Sequence, residues 1–155
     1  MFLSAHLLTG MALGRAVDNS YLAAPIGFVS HYFLDFLPHF EGSSFRDPDD
    51  KREGFINLGE KIMVVFDLLF CIFIILFFWR NLSPSMISGG FFAILPDLLD
   101  HVPFWKDRVR QIKIFKFLYK KVHKFFHHTT YGGWIVLGIG VDLAVYILSF
   151  WYLSK

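Results

Sequence analysis

The longest apolar run in the chain sets the first constraint on its fold. Residues 62–79 (IMVVFDLLFCIFIILFFW) contain one charged side chain, Asp67, in eighteen residues. A run of this length approaches the ~20 residues that a helix needs to cross the hydrocarbon core of a bilayer. Of the 155 residues in the whole chain, 55% are hydrophobic and 18% are charged. This composition excludes an ordinary water-soluble domain and predicts an integral membrane protein.

Four segments have the apolar character of membrane segments, and a fifth is shorter. The four are about 21–38, 62–79, 85–105 and 133–153, and the fifth is 2–17. We therefore expect an all-α integral membrane bundle with four or five membrane segments, in which residues 1–155 form a single domain. Residues 1–16 have no basic residue before their apolar part, so we expect them to be retained rather than cleaved as a secretory signal. The spacing of Gly10 and Gly14 permits close packing of the first segment.

Two polar stretches connect the segments. Residues 40–61 are rich in charge, Gly and Ser, which predicts a solvated loop. Within about 106–126, apolar residues recur every three or four positions, and Lys and Arg fall on the opposite side. This pattern predicts one basic amphipathic helix at an anionic membrane surface, and the alternative is a solvated helix resting on the rest of the protein.

The distribution of Lys and Arg indicates an orientation. If the four strong segments all cross, loops 40–61 and 105–131 lie on one side and hold twelve of the 15 basic residues. The positive-inside rule then makes both loops cytoplasmic. We expect the protein to lie in the inner membrane of a bacterial or archaeal cell. We expect no nucleic-acid partner, because the formal net charge is only +2.

The seven histidines give the main indication of chemistry. His31 and Asp35 are four residues apart on one helical face, and His39 follows shortly after. The other sets are Asp97, Asp100 and His101 in one segment, His123, His127 and His128 before the last segment, and His6 near the chain start. We expect the alternating directions of the segments to place these sets on the cytoplasmic side at one membrane depth, with His6 among them if the first segment spans.

His nitrogens and carboxylate oxygens are the ligands expected for zinc, manganese or iron. The only cysteine, Cys71, lies in an apolar segment and supplies neither an intramolecular disulfide nor a Cys-based zinc site. A single His-x-x-x-Asp pair is more often a simple hydrogen-bonded pair, but several ionisable sets near hydrocarbon need a common explanation. We predict a site for two or more divalent cations, zinc foremost. The predicted ligands are His6, His31, Asp35, Asp97, Asp100, His101, His123 and His127, with His39 and His128 as alternates.

The predicted reaction is metal-assisted hydrolysis of a phosphoester. Two cations ~3.5–4 Å apart hold and polarise a phosphoester and activate water. The site opens among headgroups, so membrane lipids are the expected partners and an anionic lipid phosphoester is the expected substrate. Asp100 or His128 would act as general acid or base. Lys120, Lys121 and Lys124 could attract the substrate, although membrane anchoring explains these lysines equally well.

Two aspartates lie inside apolar segments and are candidates for function. Asp67 is near the cytoplasmic end, where it could orient a metal ligand without binding the metal itself. Asp142 lies roughly 15 Å along its helix, which predicts a buried polar contact between helices rather than a place in the site.

The motifs resemble those of the YdjM-type, LexA-regulated family of membrane-bound metal-dependent hydrolases. The similar blocks are SAHLLTG with His6, LPDLLDH with Asp97, Asp100 and His101, HKFFHHT with His123 and His127, and HYFLDFLPH with His31 and Asp35. HYFLDFLPH is also similar to the His-x-x-x-Asp helix of zinc-dependent phospholipase C and the related single-strand nucleases. The blocks stand in a different order from the family's, and Lys124 stands where the family has arginine. The resemblance implies a helical membrane protein that hydrolyses phosphoesters with bound metal.

Two other classes of function use the same residues. A metal-ion transporter or metal-responsive membrane protein would need a polar path across the bilayer, for which Asp67 and Asp142 are the only in-membrane candidates. A non-catalytic membrane scaffold would use the polar clusters to join helices and would bind no metal.

Overall fold

Helices account for almost all regular structure in the described part of the chain. The computed structural model describes residues 1–45, 58–101, 104–117, 125 and 127–155, apart from the side chains of His101 and Lys106. The helices are α1 Leu3–Val17, α2 Ser20–Phe36, α3 Leu58–Phe78, α4 Pro84–His101, α5 Lys106–Val109, α6 Lys113–Phe117 and α7 Ile135–Ser154. Short 3₁₀ turns lie at Gly42–Phe45, Trp79–Asn81 and Gly132–Trp134. The predicted all-α class is confirmed.

Local signals determine where α1 and α2 begin and end. Asp18 ends α1 in the left-handed region at φ 48°, and the side chain of Asn19 accepts hydrogen bonds from two backbone N–H groups in the first turn of α2. At the other end of α2, Leu37 is extended because Pro38 disfavours the helical conformation of the residue before it. α2 therefore ends at Phe36, three residues before His39.

Glycines allow α1, α2 and α4 to pack closely. A Cβ on Gly89 of α4 would lie 2.2 Å from the carbonyl oxygen of Gly10, and a Cβ on Gly27 of α2 would lie 2.2 Å from the carbonyl oxygen of Gly89. Only hydrogen atoms fit between these backbones, so no other residue type is accommodated without a shift. The close packing expected from Gly10 is thus found between helices of one chain.

Two helices carry the strongest membrane signal. Leu58–Asn81 and Gly132–Ser154, which contain α3 and α7, are long and apolar enough to cross a membrane by length and composition. Large apolar side chains on both face outward, including Phe66, Leu76 and Val136 at 66%, 65% and 77% exposure. Within the described ranges α1 and α2 have 15 and 17 residues, shorter than a full crossing requires. Four or five crossings therefore remain a prediction.

The continuous amphipathic helix expected over 106–126 is not formed in its described part. The chain instead makes two short helices, α5 and α6, separated by a turn that begins at Arg110. Arg110 reaches back to Asp100 through Nε and Nη2, each 2.8 Å from Oδ1, and Trp105 donates to the Leu98 carbonyl oxygen at 2.9 Å. These bonds hold the segment against the end of α4 and turn the chain. Residues 118–124 and 126 of the prediction lie outside the described residues.

The loop expected at 40–61 is shorter at its end, because α3 already begins at Leu58. Glu60 in the first turn places a negative charge where the helix dipole favours one. Its side chain is buried against the 3₁₀ turn, where a Cβ on Gly42 would lie 3.6 Å from Glu60 Cα. Residues 46–57 of the loop lie outside the described residues.

The glycine contact predicts a loss of stability in Gly89→Ala. The added methyl group collides with the backbone of α1, so we expect destabilisation of about 2 kcal/mol or more and a lower midpoint of thermal unfolding. Gly140→Ala is the matched control, because a Cβ there meets nothing within 4 Å. Circular dichroism of both variants in detergent measures the difference. Equal midpoints would contradict the packing argument.

Candidate metal centre

One end of the bundle collects potential metal ligands from four parts of the chain. These are the start of α1, the end of α2 with the residues after it, the end of α4, and residues 127–130 before α7. The residues His6, His31, Asp35 and His39 are at most 1% exposed. The convergence expected from segment direction is therefore found for these sets.

Two overlapping groups of side chains could each hold a metal ion. The first ligand group is His6, His31 and Asp35, and the second ligand group is Asp35, His39 and His127. In each group, one potential ligand atom per residue lies within 4.8 Å of the others. Because Asp35 belongs to both groups, a single carboxylate could bridge two ions.

The first ligand group forms where α1 and α2 cross. Asp35 Oδ1 lies 3.2 Å from His6 Nε2, and Asp35 Oδ2 lies 3.3 Å from His31 Nε2. The two imidazole rings stack with their centroids 4.2 Å apart. Asp97 of α4 is the next carboxylate, with Oδ1 3.8 Å from His31 Nε2.

The tautomer of His31 follows from its hydrogen bond to α4. Nδ1 lies 3.0 Å from the carbonyl oxygen of Ala93, and a carbonyl only accepts, so Nδ1 carries the hydrogen. A neutral ring then has its lone pair on Nε2, which faces Asp35. Metal-ligating histidines commonly donate their other nitrogen to a carbonyl in this way.

A short stretch of parallel backbone pairing assembles the second ligand group. His39 N–H donates to the His128 carbonyl oxygen at 3.2 Å, and Thr130 N–H donates to the His39 carbonyl oxygen at 2.9 Å. His128 N–H also donates to the carbonyl oxygen of Asp35 at 3.0 Å. These bonds bring the rings of His39 and His127 together, with centroids 4.8 Å apart.

Buried nitrogens in both ligand groups lack hydrogen-bond partners among the described residues. His39 Nδ1 donates to the Leu37 carbonyl oxygen at 2.9 Å, which leaves the lone pair on Nε2 buried without a hydrogen bond. His6 Nδ1 is likewise buried without one. An unsatisfied buried polar group costs about 1–3 kcal/mol, and a bound cation would remove this cost at His39 Nε2.

Helix α7 packs against the backbone of the loop that carries the second ligand group. A Cβ on Gly138 would lie 2.2 Å from Thr130 Oγ1 and 2.8 Å from the His39 carbonyl carbon, so the absence of a side chain there admits the loop. One turn later, Asp142 Oδ2 accepts a hydrogen bond from Phe40 N–H at 3.2 Å. From its distance along the helix, Asp142 was predicted to lie outside the site. The structure instead places it against the site loop, because that loop folds back over the start of α7.

Asp67 supports the first ligand group through a helix end. Its carboxylate accepts from the backbone N–H groups of Leu3 at 2.7 Å and Ser4 at 3.1 Å, and also from the Ser4 hydroxyl. These N–H groups have no partner inside α1, so Asp67 acts as the cap of that helix. It stabilises the turn that carries His6 and makes no described hydrogen bond to a predicted ligand.

The remaining predicted residues are placed less directly. Asp100 is ion-paired with Arg110 and belongs to neither ligand group. His128 contributes its backbone, while its ring is exposed and packs edge-on against Phe36 at 5.2 Å. The side chain of His101 and all of His123, Lys120, Lys121 and Lys124 lie outside the described residues.

Glu41 was missed in the sequence. Its Oε2 lies 3.3 Å from His127 Nε2 and 3.8 Å from His39 Nε2. The available signal was its position two residues after His39 in non-helical chain, where alternate side chains point the same way. The amine of Met1, 3.0 Å from Asp35 Oδ1 and 3.6 Å from Glu41 Oε2, was not anticipated either.

Burial and nearby charges shift the pKa values of the two rings of the second ligand group in opposite directions. Burial lowers the pKa of His39, and the nearby Met1 amine lowers it further. Burial also acts to lower the pKa of His127, but its hydrogen bond and charge interaction with Glu41 outweigh this and raise the pKa. Burial acts to raise the pKa of Glu41, yet the amine charge and the bond with His127 hold it well below its usual value.

Comparison with known proteins leaves the family open. The chain matches no protein-family model, no curated protein and no solved structure at a significant level.

The pKa directions predict that metal binding weakens as the pH falls. A metal binds only the unprotonated ring nitrogen, and the His127 ring takes up a proton at higher pH than His39 because its pKa is raised. Below the pKa of His127 we expect the affinity for Zn²⁺ to fall by about tenfold per pH unit. Titration of the purified protein with Zn²⁺ between about pH 8 and pH 5.5 measures this change. A constant affinity over that range would rule out His127 as a ligand.

The close approach at Gly138 predicts that Gly138→Ala weakens metal binding. The methyl group pushes the His39–Phe40 backbone away from α7, so the second ligand group loses its geometry while the helices remain. We expect a loss of about tenfold or more in Zn²⁺ affinity, as found when supporting contacts of metal ligands are removed. Gly140→Ala is the control on the same helix. Equal affinities in the two variants would show that the loop does not depend on this contact.

Proposed function

We propose that this protein is a membrane-bound, metal-dependent hydrolase of phosphoesters with a two-cation centre. One observation carries the proposal: Asp35 is shared between two buried His-containing ligand groups. Paired cations held by a common carboxylate suit the activation of water and the polarisation of a phosphoester.

The separations between the ligand atoms support divalent cations, zinc foremost with manganese and iron as alternatives. Bonds of ~2.0–2.1 Å in a tetrahedral zinc site place neighbouring ligand atoms ~3.3–3.4 Å apart. The contacts of Asp35 with His6 and His31, at 3.2 and 3.3 Å, are close to this value. The donor set is imidazole and carboxylate, since the lone cysteine, Cys71, packs in the core beside α1.

The chain's own residues bind and orient the substrate, and the cations would supply the polarisation of the phosphoryl oxygen and the activation of water. Water then adds to phosphorus, the bond from phosphorus to the leaving oxygen breaks, and that oxygen takes up a proton. We assign the proton transfer to His128, which lies exposed beside the second ligand group. Asp100 is the weaker candidate for this step, because Arg110 already engages its carboxylate.

A substrate at a lipid headgroup is supported by the surroundings of the site. Helices α3 and α7, the two apolar candidates for membrane crossing, begin at the same end of the bundle as the ligand groups. In the segment after α4, the side chains of Arg108, Lys113 and Lys116 are exposed, and so are the aromatic rings of Phe104 and Phe117. Basic and aromatic side chains together favour the headgroup layer of an anionic membrane. We therefore propose that the site faces the cytoplasmic membrane surface.

The motif resemblance to YdjM-type hydrolases, and to the His-x-x-x-Asp helix of zinc-dependent phospholipase C, supports the same reaction. A metal transporter is supported less well. Its polar path would need Asp67 and Asp142, and both make hydrogen bonds to backbone N–H groups at the site end of the bundle.

The metal count tests the centre itself. We expect about two Zn²⁺ per chain in the detergent-purified protein, about one in His6→Ala and in His127→Ala, and none held tightly in Asp35→Ala, since Asp35 belongs to both groups. Elemental analysis of folded protein, checked by circular dichroism, gives the numbers. A folded wild-type protein without bound metal would exclude both the hydrolase and the transporter and leave a membrane scaffold.

Activity separates hydrolysis from transport. We expect the Zn²⁺-loaded protein to hydrolyse an aryl phosphodiester or phosphatidylglycerol vesicles, with turnover lowered at least about 100-fold in Asp35→Asn. A chelator should abolish the activity and added Zn²⁺ should restore it. Metal-loaded protein that moves Zn²⁺ into vesicles and hydrolyses neither substrate would instead establish the transporter.

A further inference from the structure

The two carboxylate oxygens of Glu41 have different surroundings. Oε1 accepts hydrogen bonds from Thr129 Oγ1 at 2.9 Å and from the Ser43 hydroxyl. Oε2 faces two imidazole nitrogens, His127 Nε2 at 3.3 Å and His39 Nε2 at 3.8 Å. The hydroxyl groups therefore orient the carboxylate and direct Oε2 at the rings of the second ligand group.

The same hydrogen bonds determine where the protons lie. The single hydroxyl hydrogen of Thr129 goes to Glu41, because an ionised carboxylate only accepts. The Thr129 oxygen, 3.1 Å from His127 Nδ1, then accepts the hydrogen of that ring nitrogen. A neutral His127 consequently has its lone pair on Nε2, as His39 does through its bond to the Leu37 carbonyl.

Two ring lone pairs and a carboxylate oxygen thus point toward one another. When His127 is neutral, these atoms, at 3.3 and 3.8 Å, repel unless a positive charge lies among them. A proton on His127 Nε2 supplies that charge through the hydrogen bond to Glu41, and a bound cation would take the place of this proton. The Met1 amine, 3.6 Å from Oε2, offsets part of the carboxylate charge but leaves His39 Nε2 without a hydrogen bond. A divalent cation would bind all three atoms. The 3.3 Å separation matches the ~3.3–3.4 Å expected between ligands of tetrahedral zinc, and the 3.8 Å separation is longer.

We infer that Glu41 is a metal ligand and completes the second ligand group with His39, His127 and the shared Asp35. This inference rests on the proposed two-cation centre. Asp97, 3.8 Å from His31 Nε2, takes the corresponding place in the first ligand group.

Each cation would then have two imidazoles, the shared carboxylate and one terminal carboxylate, so the activation of water would require a fifth coordination position. Three carboxylates do not neutralise two divalent cations, so the centre retains a positive charge that favours an anionic substrate.

Glu41→Gln tests this assignment. Glutamine keeps the size of the side chain and an oxygen acceptor for Thr129, but it is a poor zinc ligand. We expect bound Zn²⁺ to fall from about two to about one per chain, and the remaining ion to be lost when His6→Ala is added. Glu60→Gln is the matched control, since it removes another buried glutamate near the same loop. Its metal content should equal that of the wild type.

The outcomes separate this inference from the proposed function. Two ions in both wild type and Glu41→Gln, with unchanged affinity, would overturn the role of Glu41 while leaving the two-cation centre intact. An equal loss in Glu60→Gln would also overturn it, because the effect would then follow from removing any buried charge. A wild-type protein without metal would overturn the proposed function as well.

A second variant covers the case in which Glu41→Gln does not fold. Thr129→Val keeps the Glu41 carboxylate but removes the hydroxyl that orients it. We expect about 10–100-fold weaker binding of Zn²⁺ at the second ligand group. Unchanged affinity in folded Thr129→Val would count against ligation by an oriented Glu41.

Discussion

The burial of the Asp35 carboxylate is the constraint on which the rest of the structure depends. A buried carboxylate is unfavourable unless positive charge or hydrogen-bond donors surround it. Asp35 is 1% exposed, and its neighbours are His6, His31 and the Met1 amine. Because two of these neighbours come from the start of α1, the first helix and the end of α2 must stay in register. The carboxylate thereby ties helix packing to the geometry of the centre.

The bundle maintains that register in two ways. Glycine contacts bring the backbones of α1, α2 and α4 together, so the helices have little freedom to slide. The two apolar helices then each place one aspartate at the site end: Asp67 of α3 caps α1, and Asp142 of α7 holds the loop after α2. Side chains that would be costly in hydrocarbon are thus used where backbone N–H groups need acceptors.

Sequence reasoning was most successful where the ligands share one helix or adjoin it. The spacing of His31 and Asp35 determines that both lie on one face of α2, and Pro38 ends the helix before His39. The continuous helix predicted for 106–126 was wrong in its described part, because the periodicity of apolar residues gives no sign of the hydrogen bond from Arg110 to Asp100 that turns the chain. Glu41 was missed because its role depends on Thr129 and His127, which are distant in sequence and reach it only through the pairing with His39.

The sequence by itself determined a helical chain with strongly apolar segments and with more His and Asp residues than one tetrahedral metal site requires. These properties follow from composition and periodicity, which are local. The tertiary structure decided which residues meet: it selected His6, His31, Asp35, His39 and His127 and engaged Asp100 elsewhere. The physical reason is that close helix approach and backbone pairing set distances to within ångströms, whereas sequence spacing specifies only which face of a helix a residue occupies.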